Sequence, residues 1–98
     1  MDKTYALQNL EFEWDEEKYL LNLRKHGVTF EEAAEVFFDE FSFSGDASVE
    51  DEARTFIVGF SFRFHLLYTV FVDRRARTRI ISARRASESE IRNYVRRK

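Results

Sequence analysis

The segment TFIVGFSF-RFH-LLYTVFV-DRRA-RTRIISAR, residues 55–84, decides the fold. Its three runs, 55–62, 66–72 and 77–84, are dense in β-branched and aromatic residues, which pack well on a pleated surface. They are joined by Arg63-Phe64-His65 and by residues 73–76, connections short enough for antiparallel hairpins. Within the first run Phe56, Val58, Phe60 and Phe62 recur with period two. That spacing reads as a buried stripe, with Thr55 and Ser61 on the wet face. The alternative, exposed rings stacking on bases, is the weaker use of the same pattern.

Outward from these hairpins the periodicity changes. Glu11-Phe12-Glu13-Trp14 alternates as a short strand does. Asp15 can then cap a helix whose first turn holds Glu16 and Glu17, at the positive end of its dipole. Tyr19, Leu20, Leu21 and Leu23 give that helix an apolar side, and Gly27 ends it where a left-handed residue is needed. Thr29 with Glu32 forms a capping box for a second helix that points Ala33, Ala34, Val36 and Phe37 inward. Phe41-Ser42-Phe43 is a weak strand signal, and the acidic stretch 45–53 reads as a loop. Ser87 with Glu90 forms a second capping box, opening a final helix over 88–97. The expected fold is α+β in the order β-α-α-β-β-β-α. It is an antiparallel sheet of about four strands with its helices on one face, two of them N-terminal and one C-terminal, and residues 1–98 form a single domain.

Composition excludes several chemistries. The chain has no Cys, so disulfides and thiolate zinc sites are ruled out, and its two histidines cannot build a three-histidine zinc centre. No apolar run approaches the roughly 20 residues that span a bilayer. Residues 1–10 show no secretory pattern, so a cytoplasmic address with no membrane association is expected.

The net charge of −2 conceals a strong asymmetry. Residues 1–53 hold four basic against fifteen acidic residues, −11 in all, whereas residues 54–98 hold twelve basic against three acidic, +9 in all. The halves can pair with each other across the fold. Pairing does not explain why eleven of the twelve C-terminal cations are Arg. Arg offers planar, two-pronged hydrogen bonds that match phosphate, so a polyanion such as RNA is the expected partner.

Three clusters can carry chemistry. Lys25 and His26 close the first helix; they suit its dipole without any function, or they bring a proton-exchanging group to a chain reversal. In the run 77–84 and just beyond, strict alternation puts Arg77, Arg79, Ile81, Ala83 and Arg85 on one face, and Thr78, Ile80, Ser82 and Arg84 on the other. Arg84 and Arg85 are therefore expected to divide their roles, one structural and one at the site, in an order the sequence leaves open. Arg92, Tyr94, Arg96, Arg97 and Lys98 form either a solvated helix face or a phosphate-facing one. No nucleophile motif or phosphate loop is present, so an enzyme built on this chain needs no cofactor and no metal. RNA permits that, because its 2′-hydroxyl is the nucleophile: a base takes its proton, cations stabilise the phosphorane, and an acid protonates the leaving 5′-oxygen.

The blocks FEWD (12–15), Lys18, NLRKHGVTFEEA (22–33), RTF (54–56) followed by Gly59, and RIISARRA (79–86) resemble, in order and spacing, the BrnT family of bacterial toxins. The resemblance runs from about Phe12 to Tyr94. It implies a RelE-like fold and the toxin of a type II toxin–antitoxin pair: a metal-independent endoribonuclease that blocks translation and growth. It further implies a BrnA-like ribbon-helix-helix antitoxin in a toxin–antitoxin hetero-oligomer, which meets operator DNA only through the antitoxin.

By position the resemblance favours Lys25 and His26, then Arg84 and Arg85, with the arginines stabilising the phosphorane. One block departs: where the family commonly has Gly-Arg before Leu66-Leu67, this chain has Phe64-His65. His65 is then a third candidate for proton transfer. Arg63, Arg79 and Tyr94 are the expected substrate contacts. A catalytically weak homologue that binds its antitoxin and tunes operon repression is the alternative. Either a basic antitoxin segment docks on the acidic half or an acidic one covers the arginines.

Overall fold

Asp15 and Gly27 bound helix α1, Glu16–His26, as their chemistry requires. The Asp15 carboxylate accepts from the Lys18 N–H at 3.1 Å, and Gly27 sits at φ +70° with its N–H donated to the Leu23 carbonyl. The computed structural model describes residues 1–97. In chain order these form strands β1 (Asp2–Leu7) and β2 (Leu10–Asp15), helices α1 and α2 (Phe30–Glu35), and a single 3-10 turn, Val36–Phe38. Strands β3 (Phe43–Asp46), β4 (Thr55–Phe60), β5 (Leu66–Asp73) and β6 (Thr78–Arg85) follow, and then helix α3 (Glu88–Arg97). No described helix is long and apolar enough to cross a membrane.

The three hairpin strands and all three helices form where expected, but the sheet is larger. It has six strands in the order β1-β2-β6-β5-β4-β3, and it is mixed rather than antiparallel. β2 runs parallel to β6, pairing only at Phe12↔Thr78 and Glu13↔Arg79. β1 escapes sequence reading because its turn has no glycine: Gln8 itself takes φ +54°. β3 lies later than Phe41-Ser42-Phe43 because the Asp39 side chain accepts from the Phe41 N–H at 3.0 Å, holding that segment in a turn. Gly45, read as a loop residue, is instead a strand residue under an aromatic ring. A Cβ there would stand 2.7 Å from the Phe56 ring.

The helices divide between the two faces of the sheet, contrary to the one-face expectation. Phe12, Trp14, Ile57, Leu67, Phe71, Ile80 and Ala83 form the main core with Phe30, Ala33 and Ala34 of α2. Trp14 is 1% exposed and ringed by Tyr5, Tyr19 and Phe30 at centroid distances of 5.6–5.7 Å. Burying such a side chain contributes roughly 3 kcal/mol or more. α3 covers the opposite face, where Tyr94 packs edge-on against Phe60 at 5.2 Å and Phe56 stacks on Tyr68 at 5.1 Å. Val58 is fully buried on that side, as the period-two stripe implied, but Phe62 at its end is exposed. Ser61 is not wet: it is 3% exposed, because its hydroxyl meets Glu32 of α2.

The apolar side assigned to α1 is corrected in part: Tyr19 packs against the core as expected. Leu20 and Leu21 are exposed, and the residue α1 buries is Asn22. An amide goes inside here because its hydrogen-bonding groups are satisfied by β6.

Candidate active site

β6 carries a register shift opposite Val70 and Phe71 that reorients its C-terminal half. Phe71 pairs with Ile80 and Val70 with Ser82, so Ile81 is the extra residue. Ile80 and Ala83 are both 1% exposed although three positions apart, which strict alternation forbids. Beyond the bulge, Ala83 and by alternation Arg85 face α1 and α2, whereas Arg84 faces α3.

That reorientation separates the paired arginines. Arg84 makes a two-pronged ion pair with Glu90 of α3, Nη1 to Oε1 at 2.9 Å and Nη2 to Oε2 at 2.8 Å. Its Cζ lies 4.1 Å above the Tyr68 ring centroid, a cation–π arrangement. The hydrogen bonds to Glu90 hold the Arg84 guanidinium above its usual value. Burial pushes the Glu90 carboxyl up, but hydrogen bonds from Arg84 and from the Ser87 N–H outweigh it, and the net shift is downward. The capping box is complete, since the Glu90 N–H also reaches Ser87 Oγ at 3.3 Å. Arg85, by contrast, is exposed and makes no ion pair among the described residues.

His65 faces α2. Its Nδ1 lies 2.8 Å from Glu32 Oε2, and the same oxygen accepts from Ser61 Oγ at 2.8 Å. The Ser61 hydroxyl oxygen accepts in turn from the His65 N–H at 3.2 Å. Thr29 caps the Glu32 N–H as the sequence implied, but the Glu32 side chain turns away from the capping box to hold this pair. The carboxylate accepts from Nδ1–H, so Nε2 is the ring nitrogen left to act outward. In the antiparallel register Arg85 lies opposite Leu67, two residues from His65.

Lys25 and His26 are exposed at the end of α1. Together with Lys18, Leu21, Asn22, Ile81 and Ser82 they line an open depression of about 230 Å³. Asn22 forms its anchor, tied to Ala83 two residues before Arg85. Lys25 and His26 thus meet β6 at Ile81 and Ser82, whereas His65 and Arg85 lie at its C-terminal end.

The other expected contacts are placed differently. Arg79 is clasped by Glu13 at 2.8 Å and Asp2 at 3.1 Å, and those bonds raise its guanidinium above the usual value. Tyr94 is 2% exposed and donates to Asp39 at 2.7 Å, so its ring packs in the core instead of offering a face to a base. Burial, reinforced by that bond, raises its hydroxyl above the usual value. Arg63 is exposed in the turn before His65. The parts of Glu32, Ser61 and Tyr68 are not legible in the sequence, because each acts through a partner remote in the chain.

This is an α+β domain with exposed lysine, histidine and arginine side chains along the second half of β6. The family model for the ribonuclease toxin BrnT of type II toxin–antitoxin systems matches residues 14–90. The chain belongs to that family. It also resembles the Brucella abortus ribonuclease toxin BrnT, known from a 1.1 Å crystal structure, with a TM-score of 0.56 and 22% identity. The match covers 76% of this chain and 94% of that one, and it shows a shared fold. No curated protein matches the chain.

Proposed function

We propose that this toxin is an endoribonuclease that cuts RNA by attack of the 2′-hydroxyl on the adjacent phosphate. His65 Nε2 takes the 2′-proton, the O2′–P bond forms, and the P–O5′ bond breaks to leave a 2′,3′-cyclic phosphate. Lys25 or His26 returns a proton to the departing 5′-oxygen. Arg85 stabilises the phosphorane charge, and Arg84 acts as a positioning residue that fixes the end of β6 against α3. No step of this scheme calls for a metal, since RNA supplies the nucleophile and Arg the positive charge. The observation that carries the proposal is the His65–Glu32 pair on the same sheet face as Arg85, which has no ion-pair partner of its own among the described residues.

The partner of this reading is a ribbon-helix-helix antitoxin that covers the site and links the complex to operator DNA. The test is incubation of the purified protein with RNA in excess chelator, reading cleavage and the terminal phosphate. Cyclic-phosphate ends that vanish in Arg85→Ala support the scheme; cleavage that requires added magnesium overturns it. The alternative of a weak homologue serving as a co-repressor is favoured by the locking of Arg84 to Glu90, which engages one of two candidate phosphate ligands. It predicts intact RNA and normal growth on expression, with antitoxin binding retained.

A further inference from the structure

The turn between β4 and β5 is rigid at its base and aromatic at its tip. Ser61 is buried against Glu32, its N–H donates to the His65 carbonyl at 2.9 Å, and the Phe64 N–H returns to the Ser61 carbonyl at 2.9 Å. Glu35 accepts from the Phe62 N–H at 2.9 Å. On this base stands Phe64, 80% exposed, its ring edge-on to Phe60 at a centroid distance of 6.4 Å. Its φ is +63°, a left-handed conformation that a bulky residue adopts at a cost and glycine adopts freely. Local packing does not compensate, since most of the ring is in solvent.

We infer that Phe64 is a stacking platform for an unpaired RNA base beside the scissile phosphate, an inference that rests on the ribonuclease reading above. His65, the next residue, carries the proposed proton transfer, which fixes where the base would lie. Arg63 before it and Arg85 across the sheet end are exposed cations with no ion pair among the described residues, so the surroundings of the ring suit a phosphate backbone. Aromatic faces interleaved with arginine are the recurring chemistry of single-strand recognition, and they accept any base because every base has a π-face.

The experiment compares wild type with Phe64→Ala, Phe64→Trp and Phe64→Gly on short single-stranded RNA, with and without an abasic nucleotide next to the cut. Stacking persists through the reaction, so its loss raises KM and leaves kcat near wild type. Phe64→Ala and Phe64→Gly should raise KM by roughly 5- to 150-fold, Phe64→Trp should retain wild-type KM, and the abasic substrate should erase the differences. Phe64→Gly should at the same time melt at or above the wild-type temperature, because it relieves the backbone conformation. A purely structural role would instead lower the melting temperature as KM rises. Wild-type KM in all three variants, while Arg85→Ala still abolishes cleavage, overturns the platform and leaves the ribonuclease standing. Loss of antitoxin binding with unchanged KM assigns the ring to a protein partner and overturns it too. No RNA cleavage by the wild type overturns both.

Discussion

The side-chain amide of Asn22 is bonded to both backbone groups of Ala83, accepting from its N–H at 3.1 Å and donating to its carbonyl at 2.8 Å. β2 leaves β6 after Glu13↔Arg79, so the outer edge of β6 loses its strand neighbour just before the arginine pair. Asn22 acts there as a one-residue strand. It also donates to the Val28 carbonyl at 3.2 Å, which ties the Lys25–His26 turn to the same point. Buried edge groups are satisfied, and two halves of the candidate site share one anchor.

Asn22→Leu should therefore destabilise the protein by about 3 kcal/mol, since it removes the side-chain partner of three backbone groups, the Ala83 N–H and carbonyl and the Val28 carbonyl. For a chain of this size the melting temperature should fall by roughly 10 °C or more. Asn22→Asp keeps the acceptor and loses the donor, and should fall in between. A urea midpoint unchanged in Asn22→Leu would show that the edge is closed by something else.

The two arginines should separate stability from activity. Arg85→Ala removes an exposed side chain and should shift stability by less than about 0.5 kcal/mol. It should slow RNA cleavage by roughly 10²–10³-fold, as loss of a charge-stabilising donor does. Arg84→Ala breaks a two-pronged pair that is only partly shielded from water, and should cost about 1 kcal/mol. Thermal melts and cleavage assays on the same preparations test both. Equal loss of cleavage at equal stability would mean that Arg84 also touches substrate.

The legible parts were local. Asp15, Gly27, Thr29 and Ser87 act within four residues of themselves, so the helix ends could be read directly. The RKHG and ISARRA blocks marked the family because residue type and spacing survive in a linear sequence. What stayed hidden depends on register and on distant partners. One extra residue, Ile81, reverses which face Arg84 and Arg85 occupy, and a bulge leaves little mark in composition. Glu32 resembled a capping residue because only the fold brings His65, 33 positions away, to its carboxylate. The burial of Asn22 leaves no mark in the sequence, since the bonds to Ala83 that permit it are made 61 residues away.

The Glu32–His65 pair should behave as a unit. His65→Ala should lower cleavage by roughly 10²-fold or more if the imidazole transfers a proton. Glu32→Ala should lower it too, while destabilising the fold by about 2 kcal/mol, because Ser61 Oγ loses its buried acceptor. The double variant should be little slower than His65→Ala alone, since Glu32 acts through the ring. Fully additive rate losses would show that Glu32 contacts substrate independently.

Acid should release Arg84. Arg84 cannot titrate in the accessible range, so the pH dependence of this ion pair belongs to Glu90. The Glu90 carboxyl lies below its ordinary value of 4.5 in the folded protein, which means that the folded state favours the ionised form. Its contribution to stability is therefore complete above about 4.5 and disappears as pH falls through the lower folded value. Asp2 is lowered as well, by its hydrogen bond from Arg79, so the whole protein loses stability in acid for more than one reason. The difference between wild type and Glu90→Gln isolates the pair. That difference should hold steady from neutral pH down to about pH 5, then close as pH falls further. Urea denaturation of both proteins across this range measures it, and a gap that persists undiminished into strong acid would show that the stabilisation by Glu90 does not depend on its ionised carboxylate.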